Sequence, residues 1–120
     1  MTKLSMKSLQ GRWKITDMDR WDVESGWFIE FDSKGGGELH FLYVDVELDC
    51  RLNKDLNRAE FTFHGNDEMD EVFGRGWVKF EDTDLIGYFY FHRGDESGFK
   101  GKKMNTSKSK RSKNIIIMAL

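Results

Sequence analysis

Apolar and polar residues alternate along most of this chain, in short runs separated by turns rich in glycine, asparagine and aspartate. Residues 11–17 place Trp13 and Ile15 on one face and Lys14 and Thr16 on the other, the period of two that marks a half-buried strand. Trp27, Ile29 and Phe31 then alternate with Phe28, Glu30 and Asp32, and a glycine-rich turn follows over 32–37. The longest patterned run is 38–52. Leu39, Phe41 and Tyr43 share one phase, and Val44, Val46, Leu48, Cys50 and Leu52 share the other. That slip between Tyr43 and Val44 requires a tight turn or a β-bulge, and a bulge bending one long strand at a barrel corner is the expectation. A polar turn over 53–57 leads to Ala59, Phe61 and Phe63, and later Gly76, Val78 and Phe80 form another inward set. Residues 85–92 carry rings on both faces, Phe89 and Phe91 against Tyr88 and Tyr90, which predicts a central strand or one covered by a loop. Residues 99–103 predict a last short strand, and Ser5 to Gln10 a helical turn stopped by Gly11. Together these elements predict an all-β fold, a single antiparallel meander barrel or sandwich of about seven to eight strands.

Composition sharpens the picture of the core. Ten Phe, four Trp and three Tyr in 120 residues predict an aromatic interior, since each ring buries roughly 150–250 Å². An interior lined by Phe61, Phe63, Phe89 and Phe91 is the place where a ligand cavity is expected. Proline is absent and Cys50 is the sole cysteine, so an intrachain disulfide and a multi-thiolate metal site are both excluded. Cys50 shares the apolar phase of its strand and is expected to be a buried structural thiol.

Charge divides the chain. Residues 1–101 carry a net charge of −8, and residues 102–120 carry +6. The expected organisation is one barrel-like domain over 1–103 and a flexible basic tail over 104–120 that ends in the short apolar run 115–120. An acidic body excludes nucleic acid as its expected partner, because phosphate contacts need Lys and Arg. No run approaches a membrane span or a signal peptide, so membrane association is not expected and a cytoplasmic protein is.

Two resemblances follow from specific residues. Gly11-Arg12-Trp13 opens the first strand behind a helical turn and resembles the Gly-x-Trp signature of calycin barrels (lipocalins, avidins and fatty-acid carriers). That resemblance implies a tryptophan plugging one barrel end, with a late-strand arginine packed across it, for which Arg93 is the counterpart. A second set is Met18, Trp21-Asp22, Leu48-Asp49-Cys50-Arg51, Glu60-Phe61-Thr62, Gly65-Asn66-Asp67-Glu68, Gly74-Arg75-Gly76-Trp77 and His92-Arg93-Gly94-Asp95. With Gly11-Arg12-Trp13 it resembles a family of small bacterial hypothetical proteins over about residues 9–101. It implies that this stretch is one unit and implies no mechanism.

The candidate chemistry gathers in two acidic strand ends. His64 is followed by Asp67, Glu68, Asp70 and Glu71, and His92 by Asp95 and Glu96. A histidine among carboxylates fits a divalent metal or an acid–base pair. The same residues fit ordinary turn chemistry and solvation. Arg51 and Arg75 are further candidates. Arg75, flanked by Gly74 and Gly76, is expected to clamp a carboxylate, either a ligand's or an internal one such as Asp67 or Asp95. No nucleophile elbow, Walker loop or dinucleotide fingerprint is present. The favoured reading is therefore a non-enzymatic barrel that binds a small molecule, or a compact interaction module. Its speculative rim comprises His64, Asp67, Glu68, Arg75, His92 and Asp95, and no cofactor or metal is identified by the sequence. A metal-dependent or acid–base enzyme using the His/carboxylate cluster is the alternative. A third class is a regulator whose acidic surface meets a basic partner.

Overall fold

Eight antiparallel strands follow one another around a closed barrel in the computed structural model, which describes residues 3–104. From residue 105 onward the expected basic tail and its apolar end lie outside the described residues. A four-residue helix, α1 (Met6–Leu9), precedes β1 (Gly11–Met18), β2 (Phe28–Phe31), β3 (Gly36–Phe41) and β4 (Val44–Asn53). The ring continues through β5 (Arg58–Asp67), β6 (Asp70–Glu81), β7 (Asp84–Phe91) and β8 (Glu96–Lys103), and β8 pairs with β1 to close it.

The inward phase read from the pattern is the buried one. Trp13, Ile15, Ile29, Phe31, Leu39, Phe41, Val46, Leu48, Phe61, Phe63 and Phe89 form the core, and Cys50 is buried with them. Burial pushes the Cys50 thiol up to about 12, and the Asp49 and Asp32 charges add to this.

The phase slip at 43/44 is a hairpin, not a bulge. Phe41 pairs with Val44, so Leu42 and Tyr43 are a two-residue turn, with Leu42 at φ 51° and Tyr43 exposed. The same device recurs at Glu68-Met69 and Asp82-Thr83, whose first residues have φ 58° and 57°. These residues lack the asparagine–glycine signature of tight hairpins, so the pattern alone could not separate turn from bulge. The bulge that does occur shifts the β1–β8 register between Ile15 and Asp17. Strand β7, apolar on both sides, is not covered by a loop on its outer face, where Tyr90 stands exposed.

One end of the barrel is sealed. Ser5 caps α1 through a reciprocal box with Ser8, and Leu4 and Leu9 are buried beneath it. The Trp13 indole donates to the Leu9 carbonyl at 2.8 Å, and its ring meets Phe80 with centroids 5.9 Å apart. The late-strand cation over Trp13 is Lys103 of β8, with Nζ 4.9 Å from the ring, and not Arg93. Arg93 lies in the β7–β8 turn, at the opposite end of β8, with φ 57°. Lys103 Nζ also donates to the Gln10 carbonyl, and desolvation lowers its pKa.

Among the described residues, Phe61, Phe63 and Phe89 fill the interior, and Phe91 continues the packing up to the open end. Their rings pack on one another, with centroids 5.4 Å apart for Phe63–Phe91, 5.9 Å for Phe89–Phe91 and 6.3 Å for Phe63–Phe89. Aromatic side chains are large enough to fill an eight-stranded barrel outright.

Candidate functional site

The end opposite α1 is open. It collects the 19–27 loop and the turns β3–β4, β5–β6 and β7–β8. Among them lies a cavity of about 370 Å³, with Trp21, Phe41, Phe73 and Phe91 as its aromatic lining and Asp67, Glu71, His92 and Asp95 among its polar groups. The two acidic strand ends therefore meet at one rim.

Its floor is the top of the core. Trp21 lies 5.1 Å from Phe41 and stacks on Phe89 at 6.4 Å, inclined by only 8°. Trp21 reaches this place because its loop is tied to β8. The Ser97 hydroxyl, in a residue only 2% exposed, accepts from the backbone N–H groups of Asp19 and Arg20 at 3.1 and 3.2 Å and donates to the Gly98 carbonyl. Asp19 N–H also donates to the Gly98 carbonyl, and the Asp19 carboxylate accepts from Gly98 N–H. Arg20 pairs with Asp95 at 2.9 Å across the rim.

The six residues singled out from the sequence do not all converge. Asp67, His92 and Asp95 line the mouth. The His92 ring stacks on Phe73 at 4.8 Å, and the His92 backbone N–H donates to the Phe73 carbonyl. Glu68 occupies the β5–β6 turn at the rim. His64 points outward from β5, where its Nε2 meets Glu71 at 2.5 Å. Arg75 is elsewhere. It stands on the outer face of β6, between Thr62 of β5 and Tyr90 of β7, and among the described residues it forms no ion pair. Asp95 takes its counter-charge from Arg20 instead, so Arg75 does not neutralise the acidic turn.

Gly74 and Gly76 serve the interior and not Arg75. A Cβ at Gly74 would lie 2.6 Å from the Phe63 ring, and one at Gly76 would lie 2.5 Å from the Phe61 ring. Among the described residues no group of three or more His, Cys, Asp or Glu side chains is placed to hold a metal ion. The mouth is thus a slot with aromatic lining and acidic residues at its rim.

Sequence reasoning passed over Trp21 and Phe73. Trp21 had a signal, as a large ring within the acidic segment 19–24; Phe73 falls on the outward phase of β6 and gains its role only through His92 across the register.

No protein-family model matches the chain, and no curated protein or solved structure matches it either. Among the described residues, no helix is long and apolar enough to cross a membrane.

Proposed function

We propose that this protein is a non-enzymatic binding barrel whose mouth takes a small organic cation with an apolar body. One observation carries the reading: the 370 Å³ mouth is lined by Trp21, Phe41, Phe73 and Phe91 together with Asp67, Glu71 and Asp95, of which Glu71 also meets His64 and Asp95 also pairs with Arg20. Small-molecule sites have this make-up, a mostly apolar cleft with a few placed polar groups, in volumes of about 300–1,000 Å³. Aromatic faces and carboxylates both attract a cation, and partial desolvation strengthens the attraction. The packed interior below Phe89 limits the ligand to the mouth.

The test is a titration of the full chain with phenethylammonium, followed through the Trp21 indole resonance, with 2-phenylethanol as the uncharged control. The amine is expected to move that resonance saturably and the alcohol to bind far more weakly. The pair Asp67→Asn and Glu71→Gln is expected to weaken amine binding by about tenfold. Equal binding of amine and alcohol, or no response of Trp21 to either, overturns the reading.

A second reading, an interaction module, draws on the hairpin tips beside the mouth. Met69 is 95% exposed and Tyr43 68%, and the Glu68 N–H donates to the Tyr43 carbonyl, which holds the two tips together. On this reading the cation is a lysine or arginine side chain of a protein partner, and a lysine-containing peptide binds more tightly than the free amine.

A further inference from the structure

A second concave region lies on the outer faces of β4 to β7, and a smaller hollow lined by Thr62, Arg75, Tyr90, Phe73 and His92 leads from it toward the mouth. The larger region encloses about 630 Å³. Strand register builds it as two rows: Asp49, Thr62, Arg75 and Tyr90 stand side by side, and so do Arg51, Glu60, Trp77 and Tyr88. Arg58 joins from the start of β5 with its guanidinium 5.1 Å from the Trp77 ring. Three arginines thus face one groove on a body whose residues 1–101 carry −8.

Their charges are not equally committed. Arg58 is held by Glu60 at 2.9 Å, and Arg51 reaches Asp49 at 3.3 Å with both side chains well exposed. Arg75 has no ion pair among the described residues, although the chain holds 21 carboxylates. The hydroxyls of its two neighbours, Thr62 and Tyr90, likewise make no hydrogen bond among the described residues. A guanidinium fork flanked by two hydroxyls matches the planar or tetrahedral oxygens of a carboxylate or phosphate. Trp77, Tyr88 and Tyr90 add ring faces on the same surface.

We propose that this groove is an anion site for a small molecule in which a phosphate or carboxylate is joined to a planar ring. The anionic group sits on Arg75 between Thr62 and Tyr90, and the ring lies along the aromatic row. Nothing in this assignment depends on the mouth, and the two sites report through different tryptophans.

The experiment is a heteronuclear NMR titration of the full chain with phenyl phosphate and, separately, benzoate, observing the Trp77 indole and the Arg75 guanidinium. Inorganic phosphate and benzyl alcohol are the controls. At least one ring-bearing anion is expected to move both groups saturably while the Trp21 indole stays in place. Inorganic phosphate is expected to bind more weakly, and benzyl alcohol not at all. Arg75→Gln is expected to weaken binding at least about tenfold, the worth of one charged hydrogen-bonding group. Arg75→Lys keeps the charge, loses the fork and is expected to fall between. The proposal is overturned if neither ring-bearing anion moves Trp77 and Arg75, if inorganic phosphate binds as tightly as phenyl phosphate, or if folded Arg75→Gln and Arg75→Lys bind as the parent does. Movement of the same signals on raising protein concentration alone would assign the groove to a second copy of the chain, which also overturns it.

Discussion

The mouth and the outer groove use the same two materials, aromatic rings and charged side chains, and combine them in opposite ways. At the mouth the rings include inward-phase Phe41 and Phe91, and acidic turns supply carboxylates above them. On the outer face the rings and arginines both belong to the outward phase of the strands. The mouth depends on tertiary ties, above all Ser97 and the Arg20–Asp95 pair, which seat Trp21. The groove depends chiefly on strand register, with Arg58 held by Glu60. A site made from turns and a tied loop can change shape, whereas one made from four paired strands is held as firmly as the sheet itself.

The strongest way to break this comparison is at Phe89, whose ring touches Trp21, Phe41, Phe63, Phe91 and Phe99. Phe89→Ala is expected to cost about 4 kcal/mol, a large part of the stability of a domain this size, and to remove the mouth's floor. Denaturant unfolding measures the loss. Next comes the groove's inner support. Gly76→Ala would bring a Cβ to 2.4 Å from the Tyr88 carbonyl oxygen and 2.5 Å from the Phe61 ring. Forcing strand and ring apart is expected to cost about 3 kcal/mol and to disturb Trp77 before Trp21 in the NMR spectrum.

Ser97→Ala tests the loop tie. It deprives the Asp19 and Arg20 N–H groups of their shared acceptor, and about 2 kcal/mol is expected to be lost. The Trp21 resonance should broaden while Trp77 stays unchanged; matched changes at both would show that the regions are not independent. Glu68→Gly works in the other direction. Glu68 holds φ 58°, which glycine adopts without steric cost, so thermal unfolding should rise by the equivalent of about 1 kcal/mol.

The smallest effect is electrostatic. Hydrogen bonds from Arg58 and Asn53 hold the Glu60 carboxyl below its ordinary value. A carboxyl lowered on folding stabilises the fold at pH above its unfolded value, and that contribution disappears as pH falls through the folded one. Glu60 is therefore expected to titrate below a free glutamate by NMR, and Arg58→Gln is expected to bring it back up. Glu60 is only half-buried, and solvent screening keeps the effect on stability slight.

Much of the barrel was legible because period-two alternation states directly which side chain faces inward. Trp13, Ile29, Phe61 and Phe89 all obey it. The hairpin at Leu42-Tyr43 was not legible, since leucine and tyrosine are poor turn residues and the phase slip fits a bulge equally well. At the mouth, Asp67, His92 and Asp95 stood out as polar groups at strand ends. Closure of the ring brings those ends together, and no local pattern specifies closure. Arg75 was noticed for a reason that belongs to other residues, because its flanking glycines make room for Phe61 and Phe63. The groove around it was invisible for a more basic reason. Its rows draw on four strands, and only the register places Arg75 beside Tyr90.

The seam between β1 and β8 sets an order of events as well as a shape. It pairs Trp13 with Lys103 and Met18 with Phe99, joining nearly the two ends of the described chain, whereas every other pairing links consecutive strands. Contacts between such distant positions carry the largest loop-closure cost and form late. Ser97 and Gly98, the anchors of the Trp21 loop, lie on the far side of that seam. The outer groove can be assembled from the β4–β7 meander while the ring is still open, but the mouth acquires its tryptophan only after the two ends of the sheet have met. A chain caught midway through folding would thus carry its arginine face before it possessed an acidic cup.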